Sequence, residues 1–505
     1  MKESDMQLSI FDNDNCDNDE YLVNCFSAGS FCDDSERKAL ERRYSNKLKI
    51  TTKFNRQSVS YQLSKKDGLH SWLKYKEGFS ADLVNTLLDE MQVKPNDIIM
   101  DPFMGSGTTA LVCQMRGINC IGYDVMPISK VSINAKAAVL LYDIKEIEQL
   151  ICDIDELELP EKYSKETPSL TITKGAYPEY NAKFLQFIME WIDDSHYSSL
   201  AKNLLILCII NSLEQSSYTI KSGQYLGWDS RSPKIIAVNE VRQAQGKVLL
   251  PENKVRDSIT NIKTAIGYEL RHVLNDIKHI QNKSQTIDTA NITYVPNSVL
   301  YELPNLPGSI LKGVITSPPY CNRYDYTRTY ALELAFLGID DNGIKKMRQQ
   351  LLSCTVESRS KLEELRKYYQ SINEIDRYNY INSTIQENKA FTEIINALKK
   401  RKENGDLNNN GILRMVEGYF TELAFIYAEL YRICKDGATV AFVNDNVRYG
   451  GEVIPVDFLS CSFAEQFGFK VKCIYTLKQK KGNSSQQMAK YGRVALRKSI
   501  TIWTK

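Results

Sequence analysis

Two short segments of the 505-residue chain combine residue types that could do chemistry at a small-molecule site. Residues 101–109 read DPFMGSGTT, and residues 316–320 read TSPPY. Glycines allow a tight turn in which the backbone comes close to a ligand. Prolines fix the backbone that follows a side-chain oxygen, so that the oxygen is held in one place. The first segment therefore predicts a ligand-binding turn, and the second predicts rigid hydrogen-bond acceptors.

The segment 101–109 follows an apolar run and precedes a helical pattern, which is the setting of a nucleotide-binding turn. A phosphate-binding Walker loop requires Lys followed by Ser or Thr, and this segment contains no Lys. Asp101 would repel a phosphate at the turn but would attract a cationic amino group. Asp124 ends the next predicted strand, where a carboxylate can bind the diol of a ribose. An acid for an ammonium group and an acid for a ribose predict S-adenosylmethionine as the cofactor.

The segment 316–320 suits methyl transfer to the exocyclic amino group of a nucleobase. Such a nitrogen is a poor nucleophile because its lone pair is delocalised into the ring, so acceptors must hold its two N–H bonds while it rehybridises. The Ser317 hydroxyl and the Pro318 carbonyl would be two fixed acceptors. Tyr320 would stack on a base that has been turned out of the duplex.

Both segments resemble the motifs of the DNA amino-methyltransferases, whose cofactor motif typically reads DPF-x-GSGTT. Residues 70–84, HSWLKYKEGFSADLV, resemble the N-terminal cofactor segment of the same family. The resemblance implies that the cofactor-binding residues are Phe79, Ser80, Asp101, Pro102, Phe103, Gly105, Ser106, Gly107, Thr108, Thr109 and Asp124. It implies that the catalytic residues are Ser317, Pro318, Pro319 and Tyr320. Ser at the first catalytic position is commoner among cytosine-N4 enzymes, so we expect cytosine N4 as the target, with adenine N6 as the alternative.

Three further features bear on this resemblance. The family often places an acid before the catalytic strand to bind the adenine amino group, whereas this chain has Asn297 and Ser298 there. Cytosine-C5 enzymes present a nucleophilic Cys as Pro-Cys-Gln, which is absent, so Cys321 is interpreted as a pocket-wall residue. Residues 430–455 resemble the family's later sheet region, with Asn444, Asp445 and Arg448 at a strand end near the active cleft. The cofactor motif precedes the catalytic motif, whereas many family members have the catalytic motif first, so this chain has a cofactor-first arrangement.

Composition excludes several other classes of protein. Hydrophobic residues make up 43% and charged residues 25% of the chain, as in globular proteins. The 12 Cys are scattered without a CxxC pair and there are only 4 His, so we expect no metal site. No apolar run approaches the roughly 18 residues of a membrane span, so we expect a cytoplasmic protein with no membrane partner.

Charge is distributed unevenly although the net charge is only +2. Residues 1–36 are acidic with Lys2 as the single basic residue, whereas residues 470–505 carry basic residues and no acid. A basic terminus is either a surface for a polyanion or merely a solvated segment. The first interpretation predicts nucleic-acid contacts through Lys480, Lys481, Lys490 and Arg493.

Hydrophobic periodicity predicts an α/β fold with a doubly wound sheet and helical insertions, and the resemblance implies that this is a Rossmann-like methyltransferase sheet. Ser80 is the predicted N-cap of a helix over 79–92. Further helices are predicted over 108–116 and 416–434. Strands are predicted over 98–100, 120–123, 313–315, 439–443, 471–477 and 499–503.

The predicted organisation alternates the sheet with helical segments. The expected regions are a mobile acidic tail (1–37), a cofactor-binding half (38–136), a mostly helical insertion (137–290), a catalytic half (291–338), a second helical insertion (339–411), and the remaining sheet with the basic segment (412–505). A polar and aromatic loop over 216–234, which contains Tyr218, Tyr225, Trp228 and Arg231, is the expected target-recognition surface.

Three functions are compatible with these motifs. The first is a site-specific DNA methyltransferase whose partners are double-stranded DNA and possible restriction or defence proteins. The second is an RNA guanine-N2 methyltransferase, which often carries a separate RNA-binding domain ahead of the cofactor segment. The third is a binding module that keeps the fold without catalysis. The short segment before residue 70 disfavours the second, and intact motifs at both ends of the site disfavour the third.

Overall fold

The computed structural model describes residues 31–51, 53–55, 57–63, 67–75, 78–222, 225–283, 290–477, 490–492 and 496–505. Its strands are β1 (Leu48–Ile50), β2 (Ile98–Asp101), β3 (Asn119–Tyr123), β4 (Thr219–Ser222), β5 (Tyr225–Trp228), β6 (Ile292–Val295), β7 (Leu311–Thr316), β8 (Cys434–Asp445), β9 (Val447–Tyr449), β10 (Glu452–Ile454), β11 (Lys470–Leu477) and β12 (Lys498–Thr504).

The helices fall between and around these strands. They are α1 (Ser35–Tyr44), α2 (Gly68–Ser71), α3 (Ala81–Glu90), α4 (Thr108–Met115), α5 (Pro127–Ala137), α6 (Ile144–Glu156), α7 (Glu179–Asp194), α8 (Ser199–Leu213), α9 (Pro233–Ala244), α10 (Ile262–Lys283), α11 (Val299–Glu302), α12 (Tyr326–Thr329), α13 (Ala331–Phe336), α14 (Asp341–Gln350), α15 (Leu362–Ser371), α16 (Ile375–Glu387), α17 (Lys389–Glu403), α18 (Ile412–Ile433) and α19 (Val456–Gln466). None of these helices is long and apolar enough to cross a membrane in the described part of the chain.

A central sheet has the strand order β1-β11-β12-β8-β7-β2-β3-β6. β12 runs antiparallel to both of its neighbours, and the other neighbouring pairs are parallel. From β2 the chain winds outward through β3 and β6, and it then returns to build β7 and β8 on the other side of β2. This reversal between β2 and β7 is the topological switch point, where α/β sheets bind ligands at the carboxyl ends of their strands. The predicted doubly wound sheet is confirmed.

The central strands are apolar on both faces because helices cover both sides of the sheet. Met100 and Val314 belong to a core that includes α18 and α19 on one face. Ile99 and Ile315 point to the other face and belong to a core with α3 and α4. Ser80 is the N-cap of α3, with its hydroxyl accepting from the Leu83 N–H at 3.3 Å, as predicted.

The two helical regions differ in what they bury. Helices α6, α7, α8 and α10 form a core of their own, to which Leu150, Phe184 and Ile266 contribute. Helices α15 to α17 instead share the core of the sheet, as Leu365 and Leu398 illustrate. Residues 339–411 contain helices, but they do not form one separate insertion: α14 joins the first of these cores through Ile344 and Met347. Helices α15 to α17 are part of the layer that covers one face of the sheet.

The prediction of a mobile tail over 1–37 is wrong for residues 31–37; residues 1–30 lie outside the described part. The Phe31 and Cys32 N–H groups both donate to Glu452 Oε1, at 3.0 and 3.1 Å. The fully buried Arg37 guanidinium pairs with Glu393 at 2.8 Å and with Glu452 at 3.1 Å. The acidic composition of residues 31–37 does not reveal that they are ordered, because they pack against residues that lie hundreds of positions later in the sequence.

The prediction of a loop over 216–234 is also wrong, since β4 and β5 pair there as an antiparallel hairpin. The short strands β1, β6, β9 and β10 were not predicted. Each has three or four residues, which is too short for a readable alternation of apolar and polar side chains.

Candidate active site

A pocket opens at the carboxyl ends of β2, β3, β6 and β7, at the switch point of the sheet. It contains about 770 Å³ of empty space, including its mouth. Its wall consists of Tyr75, Gly78, Phe79, Pro102, Phe103, Met104, Gly105, Ser106, Thr108, Tyr123, Asp124, Val125, Met126, Asn297, Ser298, Val299, Leu300, Ser317, Pro319, Tyr326, Gln350, Leu351 and Leu352.

The electrostatic character of this wall is unusual for a nucleotide site. Among the described wall residues, Asp124 is the one carboxylate, and there is no Lys, Arg or His. A phosphate would meet one negative charge and no cation there, whereas a cationic ligand would be stabilised. The wall therefore suits a positively charged molecule with an apolar or aromatic body.

The turn between β2 and α4 requires its glycines. Gly105 and Gly107 have φ values of +53° and +89°, in the left-handed region that favours glycine. A Cβ atom on Gly107 would lie 2.8 Å from Ile133 Cγ1, and one on Gly105 would lie 3.0 Å from Tyr75 Cε1. The turn is thus fixed both by its backbone conformation and by the side chains that enclose it.

Asp124 follows β3 and holds this turn in place. Its Oδ2 accepts from the Gly105 N–H at 2.9 Å, and its Oδ1 accepts from the Met126 N–H at 2.7 Å. Burial raises the pKa of Asp124 to about 6, although both hydrogen bonds oppose this effect. A carboxylate has roughly four acceptor positions, so the same oxygens can still accept from ligand hydroxyls.

Asp101 lies beneath the pocket, and the structure does not place it in the wall. Its Oδ1 accepts from the Phe103 N–H at 3.1 Å and from the Thr316 hydroxyl at 2.5 Å. Burial raises the pKa of Asp101 to about 6, while the Thr316 and Thr109 hydroxyls lower it. Thr109 also donates to the Ile315 carbonyl at 3.3 Å. Asp101 and Thr109 therefore join the glycine turn to the end of β7, which carries the second motif.

The other predicted cofactor residues divide into two groups. Phe79, Pro102, Phe103, Ser106 and Thr108 line the pocket together with Gly105 and Asp124. Ser80, Gly107 and Thr109 lie outside its wall. Ser80 is 2% exposed and uses its hydroxyl to cap α3.

The second motif contributes Ser317 and Pro319 to the same pocket. Tyr320 is buried outside this wall, and the Lys498 Nζ lies 5.0 Å from the centre of its ring. Cys321, predicted as a pocket-wall residue, is instead fully buried behind the wall, and its carbonyl accepts from the Tyr449 hydroxyl at 2.6 Å. The structure thus brings Ser317 within one cavity with Asp124, although 192 positions separate the two residues in the sequence.

Comparison with known proteins agrees with this geometry. Residues 9–131 match the model of a family of N6 and N4 enzymes described as DNA methylases. The chain is 48% identical over 490 residues to the Type II methyltransferase M.BsoBI of Geobacillus stearothermophilus, covering 97% of this chain and 96% of that protein. It is 37% identical over 483 residues to the Type II methyltransferase M.AvaI of Nostoc sp., covering 93% of each.

The chain belongs to the DNA amino-methyltransferase family. It is an enzyme that methylates amino groups of DNA bases, as the two motifs predicted. The RNA enzyme and the non-catalytic binding module are set aside.

Several wall residues of this methyltransferase were not among the predicted site residues, although Tyr75 lies within the predicted cofactor segment 70–84. Tyr75 stacks on Tyr330 with ring centres 5.2 Å apart and planes 6° apart, and Tyr326 lines the pocket beside them. Asn297 also lines it, and its Oδ1 accepts from the Ser298 N–H at 2.8 Å. The place of Asn297 and Ser298 could be found from the family's motif order, whereas isolated tyrosines could not.

The strand end at residues 444–448 lies next to the catalytic motif of the methyltransferase. Asp445 Oδ2 is 3.7 Å from the Nζ of Lys498, the side chain that also lies by Tyr320. Arg448 donates to the Gly451 carbonyl at 3.0 Å and to the Gly492 carbonyl at 3.1 Å. Arg448 therefore fixes the β9–β10 turn.

The residues predicted to contact DNA are only partly described. Lys490 is exposed and pairs with Asp406 at 2.6 Å, while Lys480, Lys481 and Arg493 lie outside the described residues. In the β4–β5 region, Arg231 pairs with Asp229 at 2.7 Å and donates to the Arg256 and Asp257 carbonyls. The Lys234 Nζ lies 4.2 Å from the centre of the Trp228 ring. Arg231 and Trp228 thus already have internal partners.

Proposed function

We propose that this methyltransferase transfers a methyl group from S-adenosylmethionine to N4 of a flipped cytosine at a specific site in double-stranded DNA. The observation that carries the proposal is the shared pocket, in which Ser317 faces a wall whose one described carboxylate is Asp124 and which contains no described cation. A sulfonium cofactor suits such a wall, and Ser317 places an acceptor beside it.

The residues present fit this cofactor. When bound, S-adenosylmethionine supplies an electrophilic methyl group on a positively charged sulfur. We propose that Asp124 accepts hydrogen bonds from the ribose hydroxyls while it also holds the Gly105 N–H. Phe79 and Leu300 offer apolar surface to the adenine, and the Asn297 side chain lies at the position where relatives often have an acid. Asp101 is proposed to act through Thr316 by fixing the glycine turn against β7.

Ser317 and Pro318 are proposed to hold the target nitrogen. The Ser317 hydroxyl and the Pro318 carbonyl would accept hydrogen bonds from its two N–H groups, which turns the nitrogen lone pair out of conjugation with the ring. Their positions are fixed by two successive prolines and by the hydrogen bond between Thr316 and Asp101. Tyr320 is proposed to contact the base after a local movement, since its ring is buried in this structure.

The type of base is the finer part of this proposal, and it rests on Ser317 at the first catalytic position. The experiment incubates DNA, and in a separate reaction RNA, with the enzyme and labelled S-adenosylmethionine, then digests each nucleic acid to nucleosides and separates them. N4-methylcytosine as the labelled product supports the proposal. N6-methyladenine would replace it with the alternative, and unlabelled DNA with labelled RNA would overturn it.

Sequence recognition is proposed to lie in the first helical region, at the β4–β5 hairpin, and the basic C-terminal segment is proposed to add phosphate contacts. Because the relatives are named Type II methyltransferases, we propose that a restriction endonuclease of the same specificity accompanies this enzyme. Replacing residues 219–228 with a Gly-Ser linker should abolish site preference while cofactor affinity stays unchanged. Wild-type methylation at the same site would contradict the assignment.

A further inference from the structure

Two buried polar groups beside the catalytic motif have no hydrogen-bond partner among the residues that the structure describes. They are the side-chain amide of Asn444, which lacks a partner on both atoms, and the hydroxyl of Tyr419. Both residues are 0% exposed. Buried polar groups are nearly always hydrogen-bonded, because leaving one unpaired destabilises the folded protein. A ligand that enters this region would supply the missing partners.

Asn444 lies at the carboxyl end of β8, next to the strand that carries the catalytic motif. Phe442 of β8 pairs with Thr316 of β7, and Asn444 is two residues beyond that last pair, as Pro318 is in β7. On its other side Asn444 pairs with Ser499 of β12. The amide is therefore held between two neighbouring strands at the edge where the target nitrogen must be bound.

Tyr419 approaches the same place from the helical layer. The ring of Tyr427 on α18 contacts the ring of Phe442, with centres 5.2 Å apart. Tyr419 precedes Tyr427 by eight residues, so it lies about 12 Å earlier along the helix and roughly 80° around it, within the same broad apolar face. Because α18 leads directly into β8 and packs back on it, earlier residues of α18 lie toward the carboxyl end of β8. Burial raises the pKa of the Tyr419 hydroxyl, and Cys321 and Tyr320 are among the neighbours that raise it further.

We propose that Asn444 and Tyr419 form the polar wall of the pocket that receives the flipped cytosine. The Asn444 amide N–H donates to N3 of the base, the ring nitrogen beside the amino group, and the Tyr419 hydroxyl donates to O2. Cytosine presents these two acceptors side by side, whereas adenine has a C–H group where cytosine has O2. This assignment rests on the proposed function and adds residues that neither motif contains.

The test uses duplexes that carry the site at which the enzyme methylates DNA, with either cytosine or 3-deazacytosine at the target position. 3-Deazacytosine lacks the N3 acceptor but keeps the amino group. In single-turnover assays, Asn444→Leu should slow methyl transfer to cytosine by at least about tenfold, the scale of one lost hydrogen bond to a buried group. The same variant should change transfer to 3-deazacytosine by less than about twofold, because that contact is already missing. Tyr419→Phe should slow transfer to cytosine by about three- to tenfold.

Stability separates this role from a purely structural one. Leu in place of an unpaired buried amide removes a desolvation cost, so the thermal midpoint of Asn444→Leu should equal or exceed that of the wild type. Thr501→Val is the matched control, since Thr501 pairs with Phe442 two residues further into the sheet and should leave transfer unchanged.

Equal loss of transfer on both bases, or a rate that falls only as the thermal midpoint falls, would overturn the assignment. N6-methyladenine as the product of the wild type would overturn the Tyr419 contact, since adenine has no oxygen at that position. A wild type that methylates no DNA would refute the proposed function, whereas an active wild type with an equally active Asn444→Leu would refute only this inference.

Discussion

The two sides of the catalytic cleft differ in whether their buried polar groups have hydrogen-bond partners. The cofactor side is the wall around Asp124 and the glycine turn, and the base side is the region around Asn444 and Tyr419. On the cofactor side, both oxygens of Asp124 accept from backbone N–H groups, and the Ser106 carbonyl accepts from Lys136 and Ser132 at 3.2 and 3.3 Å. On the base side, Asn444 and Tyr419 are buried without partners among the described residues.

The backbone shows the same difference. The cofactor turn reaches positive φ with glycines, which adopt it without strain, whereas the loop after the catalytic motif places Arg323 at a φ of +67°. A satisfied, unstrained wall is already shaped for its ligand. A wall with unpaired groups and a strained loop gains stability when the ligand arrives. The cofactor side is therefore preorganised, and under the proposal above the flipped base completes the base side.

The largest expected effect is at Ser317, where the two sides meet. Ser317→Ala should slow single-turnover methyl transfer by at least about a hundredfold, because it removes an acceptor that acts mainly as the nitrogen becomes tetrahedral. Rapid-quench assays give the rate, and calorimetry should show cofactor affinity unchanged. A variant that loses cofactor affinity along with rate would place Ser317 on the cofactor side instead.

Asp124→Ala tests the cofactor side, where the buried polar groups have hydrogen-bond partners. Loss of a carboxylate that binds both the turn and the ligand should weaken cofactor binding by about tenfold or more, or ~1.4 kcal/mol. Because the pKa of Asp124 is raised to about 6, wild-type affinity should fall as the pH drops through 6, and the variant should lack that dependence. Calorimetric titrations at pH 5.5 and 8 measure both effects. Unaltered affinity would move the cofactor away from β3.

Asp101→Asn tests the joint between the two sides. The pKa of Asp101 in the folded protein, about 6, is above the ordinary Asp value, so its contribution to stability is present at low pH and is lost as the pH rises through 6. The Asn variant does not titrate and keeps an acceptor for Thr316. It should therefore gain roughly 1–2 kcal/mol relative to the wild type between pH 4.5 and 7.5. Urea unfolding at the two pH values measures the gain, and a difference that does not vary with pH would refute it.

Ser80→Ala has the smallest expected effect and sharpens the boundary of the cofactor side. Loss of the N-cap of α3 should lower the free energy of unfolding by about 1 kcal/mol. Because Ser80 lies outside the pocket wall, cofactor affinity should change by less than about twofold. Denaturant unfolding and calorimetry on one preparation provide both numbers. A tenfold loss of affinity would restore the direct contact that the family resemblance implies.

Much of the cofactor side could be predicted from sequence because its signals are local. The strand, the turn, the helix and the acid all fall within residues 98–124, and each of them can be predicted from its own residues. The neighbouring β6 was missed because four residues between loops show no periodicity. Tyr75 and Tyr326 were missed because each becomes part of the wall only through tertiary stacking.

The base side could be predicted only at its motif. No local pattern singles out Asn444 or Tyr419, since an Asn at a strand end and a Tyr in an apolar helix are common. Their proposed role follows only from the lack of a hydrogen-bond partner among the described residues of the folded protein. The helices of the two insertions likewise show similar periodicity, yet α14 packs with the first helical core and α15 to α17 cover the sheet. Periodicity reports which face of a helix is buried but not what buries it.

The two ion pairs of Arg37 with Glu393 and Glu452 have a consequence for the synthesis and folding of the enzyme. Arg37 is synthesised early, but its partners Glu393 and Glu452 come late, and β1 pairs with β11, which ends at Leu477. Arg37 and β1 therefore leave the ribosome several hundred residues before their partners do. Contacts of such long sequence separation form slowly, so the edge of the sheet should close only after β11 has been synthesised. A chain cut short before residue 452 would keep the whole cofactor turn but would expose the surface that Arg37 covers, which makes truncated products targets for proteolysis.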